Sequence, residues 1–257
     1  MANADVAPAG APGALDGTST GSLEERQVRA MFDRIAGLYD RMNTVMTAGL
    51  HHQWRRRAVQ LAAVSPGDHA LDVATGTGDL ALELAAGVAP DGDVVGVDFS
   101  ERMLELARAK VRERAPALDG ARVRFETGNA LALAYPDDEF DAATVGFGAR
   151  NFSDLDRGLA EMARVVRPGG RVVVLEITTP RRPPLSTFFR MWFDRVIPAL
   201  GRLADSQAYS YLPSSVRRFP GPDELAAVMW RCGLREVRYL LTAGGIIALH
   251  VGVVPPR

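Results

Sequence analysis

The sequence predicts an α/β protein built on an open sheet with helices on both faces, and three observations carry that prediction. The first is the stretch Ala70-Leu71-Asp72-Val73-Ala74-Thr75-Gly76-Thr77-Gly78-Asp79-Leu80, an apolar run that breaks at paired glycines and then starts a helical pattern. Strand, tight turn and helix in that order make the nucleotide-binding corner of such a sheet. The glycines let the backbone bend and lie against a bound molecule, and the helix start presents unpaired N–H groups. The second is the alternation downstream of short apolar runs with stripes at helical spacing. The third is a pair of alternating runs near the carboxyl end, Glu236 to Leu240 and Ile246 to Val253, which predicts a closing antiparallel hairpin.

Composition bounds the protein to one soluble globular domain. Its 257 residues are 47% hydrophobic and 24% charged, enough for one full α/β domain with little room for a second. A net charge of −1 argues against a chain whose main business is coating a nucleic-acid backbone. Cys232 stands alone, which rules out an internal disulfide and a multi-cysteine zinc site, and makes a reducing cytoplasm the expected compartment. There is no uninterrupted apolar run of about 18 residues, so no membrane span is expected. No metal-ligand cluster is visible either.

In chain order, residues 1–21 are rich in Ala, Gly, Pro, Ser and Thr and are expected to be a disordered tail. The single domain is expected over 22–257. Ser22 and Glu25 make a capping box, and Val28, Met31, Phe32 and Ile35 recur at helical spacing, predicting an amphipathic helix of roughly four turns. Next, Tyr39-Asp40-Arg41-Met42-Asn43, His51-His52-Gln53-Trp54 and Arg55-Arg56-Arg57 crowd polar and aromatic groups before the first strand. Residues 22–66 are therefore expected to form a helical lid, although Tyr39 and Trp54 also suit plain amphipathic packing. Arg55 to Arg57 reads as a solvated face, with contact to anionic lipid headgroups as the alternative.

Beyond the glycine turn, Leu80, Leu82, Leu84 and Ala85 begin a sheet-packing helix, and Val94-Val95-Gly96-Val97-Asp98 is a second strand ending in a carboxylate. Ser100 caps a helix striped by Met103, Leu106, Ala107 and Val111. Val123 and Phe125 alternate with charges in a third strand, with Gly128-Asn129-Ala130 just past it. Glu139 to Val145 is the fourth, with Gly146-Phe147-Gly148-Ala149-Arg150-Asn151 at its end. Ser153 is the expected cap of the following helix, which Arg167-Pro168-Gly169-Gly170 stops before a fifth strand over Arg171 to Ile177. Residues 179–220 are expected as an insertion beside the cleft, with Phe188, Phe189, Trp192, Phe193, Val196 and Ile197 as either extra core or the wall of an apolar site. Pro222 and Asp223 start a last helix before the hairpin.

Two cofactor classes fit the glycine corner. Gly76-Thr77-Gly78-Asp79-Leu80-Ala81 matches the relaxed G-x-G-x-x-G/A fingerprint of dinucleotide enzymes, with Asp98 about twenty residues on for the ribose hydroxyls. Such an enzyme would need a second mononucleotide half, and no second glycine fingerprint follows. S-adenosylmethionine (SAM) needs a turn under its methionine part, a carboxylate for the ribose, and a polar group with apolar walls around the adenine. Gly76 to Gly78, Asp98, and Asn129 with Ala130 occupy those places at successive strand ends, and Asp72 orders the turn.

Tyr39-Asp40-Arg41-Met42-Asn43 with His51 and Trp54, Gly148-Ala149-Arg150-Asn151, Arg164 to Gly170, Glu176, and Thr242-Ala243-Gly244-Gly245-Ile246 with Ala248-Leu249-His250 together resemble the menaquinone/ubiquinone-biosynthesis C-methyltransferases. The resemblance runs from about Phe32 to Val253. It implies a class I SAM-dependent methyltransferase fold, Rossmann-like, with a seven-stranded sheet and terminal hairpin. It implies SAM contacts from Thr77, Asp98, Asn129 and Ala130, to which the glycine turn adds Asp72, Gly76 and Gly78. Gly146 stands where the family often has Ser, so no side-chain contact is expected there, while Thr47 keeps a hydroxyl where Ser is common.

The activity implied is C-methylation of a polyprenylated quinol, most directly demethylmenaquinol, with 2-methoxy-6-polyprenyl-1,4-benzoquinol as the alternative. Arg150 would stabilise the phenolate and steer a water, and Tyr39 and Asn151 would orient the ring oxygens. A salt bridge from Arg150 to Asp141 or Glu176 is the competing reading. His51 is a candidate base by residue type and equally a helix-packing group; His52, His69 and His250 read as structural. So apolar a substrate implies transient contact with the inner face of a membrane, while nucleic acid is not an expected partner and a homodimer is left open. A nucleic-acid methyltransferase, an NAD-dependent oxidoreductase and a non-catalytic binding module are the remaining alternatives.

Overall fold

The computed structural model describes residues 25–114, 118–180, 187, 191 and 206–256. The expected tail over 1–21, the Ser22 cap and the aromatic and apolar residues singled out between Phe188 and Ile197 lie outside them. Two helices open the described chain, α1 (Glu25–Thr47) and α2 (His51–Ala62). At 23 residues α1 is longer than expected. The apolar spacing does not stop at Ile35 but continues through Tyr39, Met42 and Met46, which pack on Tyr211 and Val216 and carry the helix onward. Ala48 (φ 49°) and Gly49 (φ 77°) then end it in left-handed backbone.

The alternating part follows as β1 (His69–Val73), α3 (Asp79–Val88), β2 (Asp93–Asp98), α4 (Glu101–Arg114), β3 (Arg122–Thr127), β4 (Phe140–Gly146), α5 (Leu155–Val165) and β5 (Val166–Ile177). Then come α6 (Ser206–Arg218), α7 (Pro222–Arg231), β6 (Arg235–Thr242) and β7 (Ile247–Val253). The sheet is seven-stranded in the order β3-β2-β1-β4-β5-β7-β6. Its first five strands are parallel, and β7 runs antiparallel between β5 and β6. The predicted class I architecture with its terminal hairpin is the one observed.

Two local expectations are corrected. The cap of α5 is Asp154, not Ser153: its Oδ1 accepts from the Arg157 amide at 2.9 Å, and a carboxylate at that position also meets the positive end of the helix dipole. Pro168-Gly169-Gly170 lies inside β5 rather than ahead of it. Val166 already pairs with Phe140, and the register shifts before Ala142 meets Arg171, so the proline and glycines (Gly169 φ 82°) form an irregularity in the strand.

Side chains alternate across the sheet and divide the core in two. Leu71, Val73, Val145 and Val174 face Leu159 and Met162 of α5 and Leu225 and Met229 of α7. Ala70, Val94, Ala142 and Val173 face Trp54 and Ala58 of α2, Leu80 and Leu84 of α3, and Leu104 of α4. Thus α2 is built into a sheet layer, whereas α1 lies across the carboxyl edge. The chain winds outward from β1 through β2 to β3 and then returns to lay β4 on the other side of β1. That reversal opens a crevice beyond the ends of β1 and β4, where ligands of such sheets bind.

Candidate active site

A cavity of about 250 Å³ occupies this crevice. Its floor is the turn after β1. The Thr75 amide donates to Val97 O at 3.0 Å, the Gly78 amide returns to Thr75 O at 3.0 Å, and Gly76 (φ 56°) and Gly78 (φ 80°) take left-handed backbone. A Cβ on Gly78 would stand 2.8 Å from Phe125 Cζ, so the turn presses directly on the end of β3.

Two carboxylates face the cavity from successive strands. Asp72 is 1% exposed; it accepts the Thr75 hydroxyl at 2.6 Å and the hydroxyl of Thr144, its register partner on β4, at 2.7 Å. Burial outweighs both bonds and lifts its carboxyl to about 6. Asp98, at the end of β2, accepts the Gly76 amide at 2.8 Å and the Ser100 amide at 2.9 Å, and burial raises its carboxyl too. Asn129 and Ala130 follow at the end of β3, the Asn129 side chain accepting the Leu131 amide at 2.9 Å.

Helix α1 closes the crevice from above with Val28, Phe32 and Tyr39, and polar ties hold it there. Ser100 donates to Asp33 at 2.5 Å, Thr77 donates to Asp40 at 2.6 Å, and Lys110 Nζ reaches Asp40 at 2.7 Å and Asp79 at 2.6 Å. Opposite, the chain leaving β4 passes through Phe147 in left-handed backbone (φ 60°) and brings Asn151 to the wall, where Tyr211 donates to its Oδ1 at 3.1 Å. Residues held in such backbone by their surroundings gather at working sites.

Of the residues singled out in the sequence, Tyr39, Asp72, Gly76, Thr77, Asp98, Asn129, Ala130 and Asn151 line this one cavity. Gly78 supports the turn from below. Arg150 does not line it: the guanidinium turns behind the wall to Glu176 at 2.7 Å and to Phe147 O at 2.5 Å, the salt-bridge reading. Asp141 instead binds Arg167 and the His69 amide. His51 is buried between Arg55 and Thr44 off the cavity wall, and His250 donates from Nε2 to Pro222 O at 2.9 Å.

Sequence reasoning missed three groups. Arg55 is 6% exposed and on the cavity wall, not solvated; its membership of the His51, Trp54, Ala58 face, at spacings of three and four, was the available signal. Lys110 and Tyr211 are brought in only by folding. Among the described residues no helix is long and apolar enough to cross a membrane, and no three His, Cys, Asp or Glu side chains group to hold a metal.

The model of the ubiE/COQ5 methyltransferase family matches residues 20–254. The chain belongs to this family. Demethylmenaquinone methyltransferase of Thermus thermophilus is 47% identical over 88% of the chain and all of the relative. The ubiquinone/menaquinone biosynthesis C-methyltransferase UbiE of Geobacter sulfurreducens is 42% identical over 88% of each. Among solved structures, a SAM-dependent methyltransferase from Aquifex aeolicus superposes with a TM-score of 0.59 at 17% identity, covering 91% of this chain and all of the other, a likeness of fold.

Proposed function

We propose that the protein methylates a ring carbon of demethylmenaquinol to give menaquinol, with SAM as methyl donor. The observation that carries the reading is the meeting of Tyr39 and Asn151, from the two ends of the cavity wall, with the Asp72, Asp98 and Asn129 series in one crevice. The residues suit SAM on their own chemistry. Asp98, already anchored by two amides, has carboxylate capacity left for a ribose diol; Asn129 and Ala130 with Val97 and Leu131 offer polar and apolar edges for a purine. Asp72 gives a buried acceptor at the other end. When bound, SAM supplies an electrophilic methyl group.

The chain's own residues hold the ring carbon in line and exclude water, which is where most of the rate comes from in such a displacement. A ring carbon becomes nucleophilic when the neighbouring hydroxyl loses its proton, and ionising a phenol of pKa about 10 at pH 7 costs roughly 4 kcal/mol. Tyr39 and Asn151 are assigned to the ring oxygens, with Tyr211 fixing the Asn151 amide. Arg150, its charge committed to Glu176, serves as a positioning residue: it grips Phe147 O and so holds the loop that presents Asn151. α1 acts as the lid. Exposed Val45 and Leu50 at the α1–α2 corner are the apolar surface we assign to passing contact with the bilayer that holds a polyprenylated substrate.

The Geobacter relative's name favours a second reading, methylation of the ubiquinone-pathway benzoquinol as well. Incubation with methyl-labelled SAM and short-chain forms of both quinols decides between them. Label in the menaquinol ring is expected; a protein that binds SAM and methylates neither quinol overturns the substrate assignment.

A further inference from the structure

Two arginines line the cavity, and of these Arg29 is exposed whereas Arg55 is buried. Arg55 is buried beside Asp72, Thr75 and Asp79, and its guanidinium lies 5.8 Å from the Phe147 ring centroid. Its carboxylate partner is distant: Asp79 Oδ2 stands 3.5 Å from Nη2, longer than the roughly 3 Å of a formed N–H···O bond. Asp79 has a closer partner in Lys110 at 2.6 Å, and Lys110 also takes Asp40 at 2.7 Å. Lys110 thus holds both carboxylates by direct short contacts, while Arg55 acts on Asp79 through its charge across the longer gap. Arg55 therefore lies beside Asp72 and Asp79 without a close hydrogen bond to either, and its buried N–H donors are ones that an arriving carboxylate would engage.

The neighbours of Arg55 fix its aim. His51 sits one helical turn earlier with Nδ1 against Arg55 Nη1 and Nε2 3.2 Å from Thr44 Oγ1. The Thr44 hydroxyl proton is committed to Asp40 O at 2.9 Å, so Oγ1 can only accept from His51. The proton of His51 is therefore on Nε2, and Nδ1 offers its lone pair to Arg55. Burial and the Arg55 charge hold this imidazole at about 4, neutral at physiological pH as the chain of bonds requires. Next to the guanidinium stands Asp72, a carboxylate whose present partners are two hydroxyls. One end of the cavity therefore presents a cation and an anion side by side, the complement of an α-amino acid zwitterion.

We propose that Arg55 binds the α-carboxylate at the methionyl end of the cofactor, that Asp72 takes its α-ammonium, and that His51 is the positioning residue that aims the guanidinium. A guanidinium suits this task because its planar fork can hold a carboxylate with two parallel N–H bonds. The assignment rests on the cavity holding SAM and is independent of which quinol is methylated.

Calorimetry with three ligands tests it: S-adenosylhomocysteine, decarboxylated SAM, which lacks the carboxylate, and methylthioadenosine, which lacks the whole amino-acid end. Arg55→Met is expected to weaken S-adenosylhomocysteine by roughly 10- to 100-fold while leaving the other two within about twofold, and Arg55→Lys to recover much of the loss. His51→Ala should give a smaller loss confined to S-adenosylhomocysteine. If a folded Arg55→Met weakens all three ligands alike, or none, the proposal is overturned. Should that variant fail to fold, the wild-type protein decides, because equal affinity for SAM and decarboxylated SAM also overturns it. A wild-type protein that binds no adenosyl ligand would overturn the cofactor reading itself, an outcome distinct from the others.

Discussion

Arg150 Nη1 lies 2.7 Å from Glu176 Oε1 with the two side chains only 7% and 1% exposed, an ion pair sealed behind the cavity wall at the end of β5. Removing one member strands the other in a place without water. Glu176→Gln or Arg150→Met should each lower stability by about 3 to 5 kcal/mol, whereas the double variant should be less destabilised than either single one. Urea unfolding of the three variants measures this. Additive losses would show that the two side chains act separately.

Asp72 leads to an opposite expectation for the protein without ligand. Its folded carboxyl titrates at about 6 against 3.8 for the free group. Well below pH 3.8 both states hold the proton and nothing is lost. As pH rises from 4 to 6 the unfolded chain releases its proton first, so stability falls, by up to about 3 kcal/mol above pH 6. Asp72→Asn removes that penalty and should stabilise the ligand-free protein at pH 7 by about 1 to 3 kcal/mol while weakening S-adenosylhomocysteine. A variant that loses both stability and affinity would contradict this account.

The two glycines of the turn should separate folding from binding. Gly78→Ala meets both a left-handed backbone and Phe125 Cζ at 2.8 Å, and is expected to destabilise by about 2 to 4 kcal/mol. Gly76→Ala carries the backbone strain alone, about 1 to 2 kcal/mol, because its Cβ meets no atom within 4 Å. Its methyl group would instead stand at the cavity, so adenosyl-ligand affinity should fall in a protein that still folds. Thermal melts with and without S-adenosylhomocysteine distinguish the two.

His250, buried and held neutral, titrates at about 4 in the folded protein against 6.5 for the free imidazole. Here the unfolded chain gains a proton first as pH falls, so the histidine's contribution is present above pH 6.5 and is lost between 6.5 and 4. Relative to His250→Gln, the wild-type protein should lose about 1 kcal/mol more stability per pH unit across that window. Parallel slopes for the two proteins would mean that the imidazole ionises freely in the folded state.

What the sequence determined by itself was whatever depends on near neighbours. Period-two runs, helical stripes and the Gly76 to Gly78 turn announce their structures because backbone sterics and side-chain spacing act over a few residues. Asp98 and Asn129 were legible for the same reason, each standing at the end of a recognisable strand of a sheet whose ligand side is known from its topology. The long reach of α1 was legible too, in the spacing of Tyr39, Met42 and Met46, once the apolar stripe is followed past Ile35.

Only the tertiary structure decided where the charges go. Arg150 meets Glu176 across 26 residues, Thr77 meets Asp40 across 37, and Lys110 reaches Asp79 across 31. Arg55 stands in a triplet that reads as a solvated face, yet the fold buries it while leaving Arg56 and Arg57 in water. An ion pair depends on distance and on the water removed around it, and neither quantity exists along a chain until the sheet has closed.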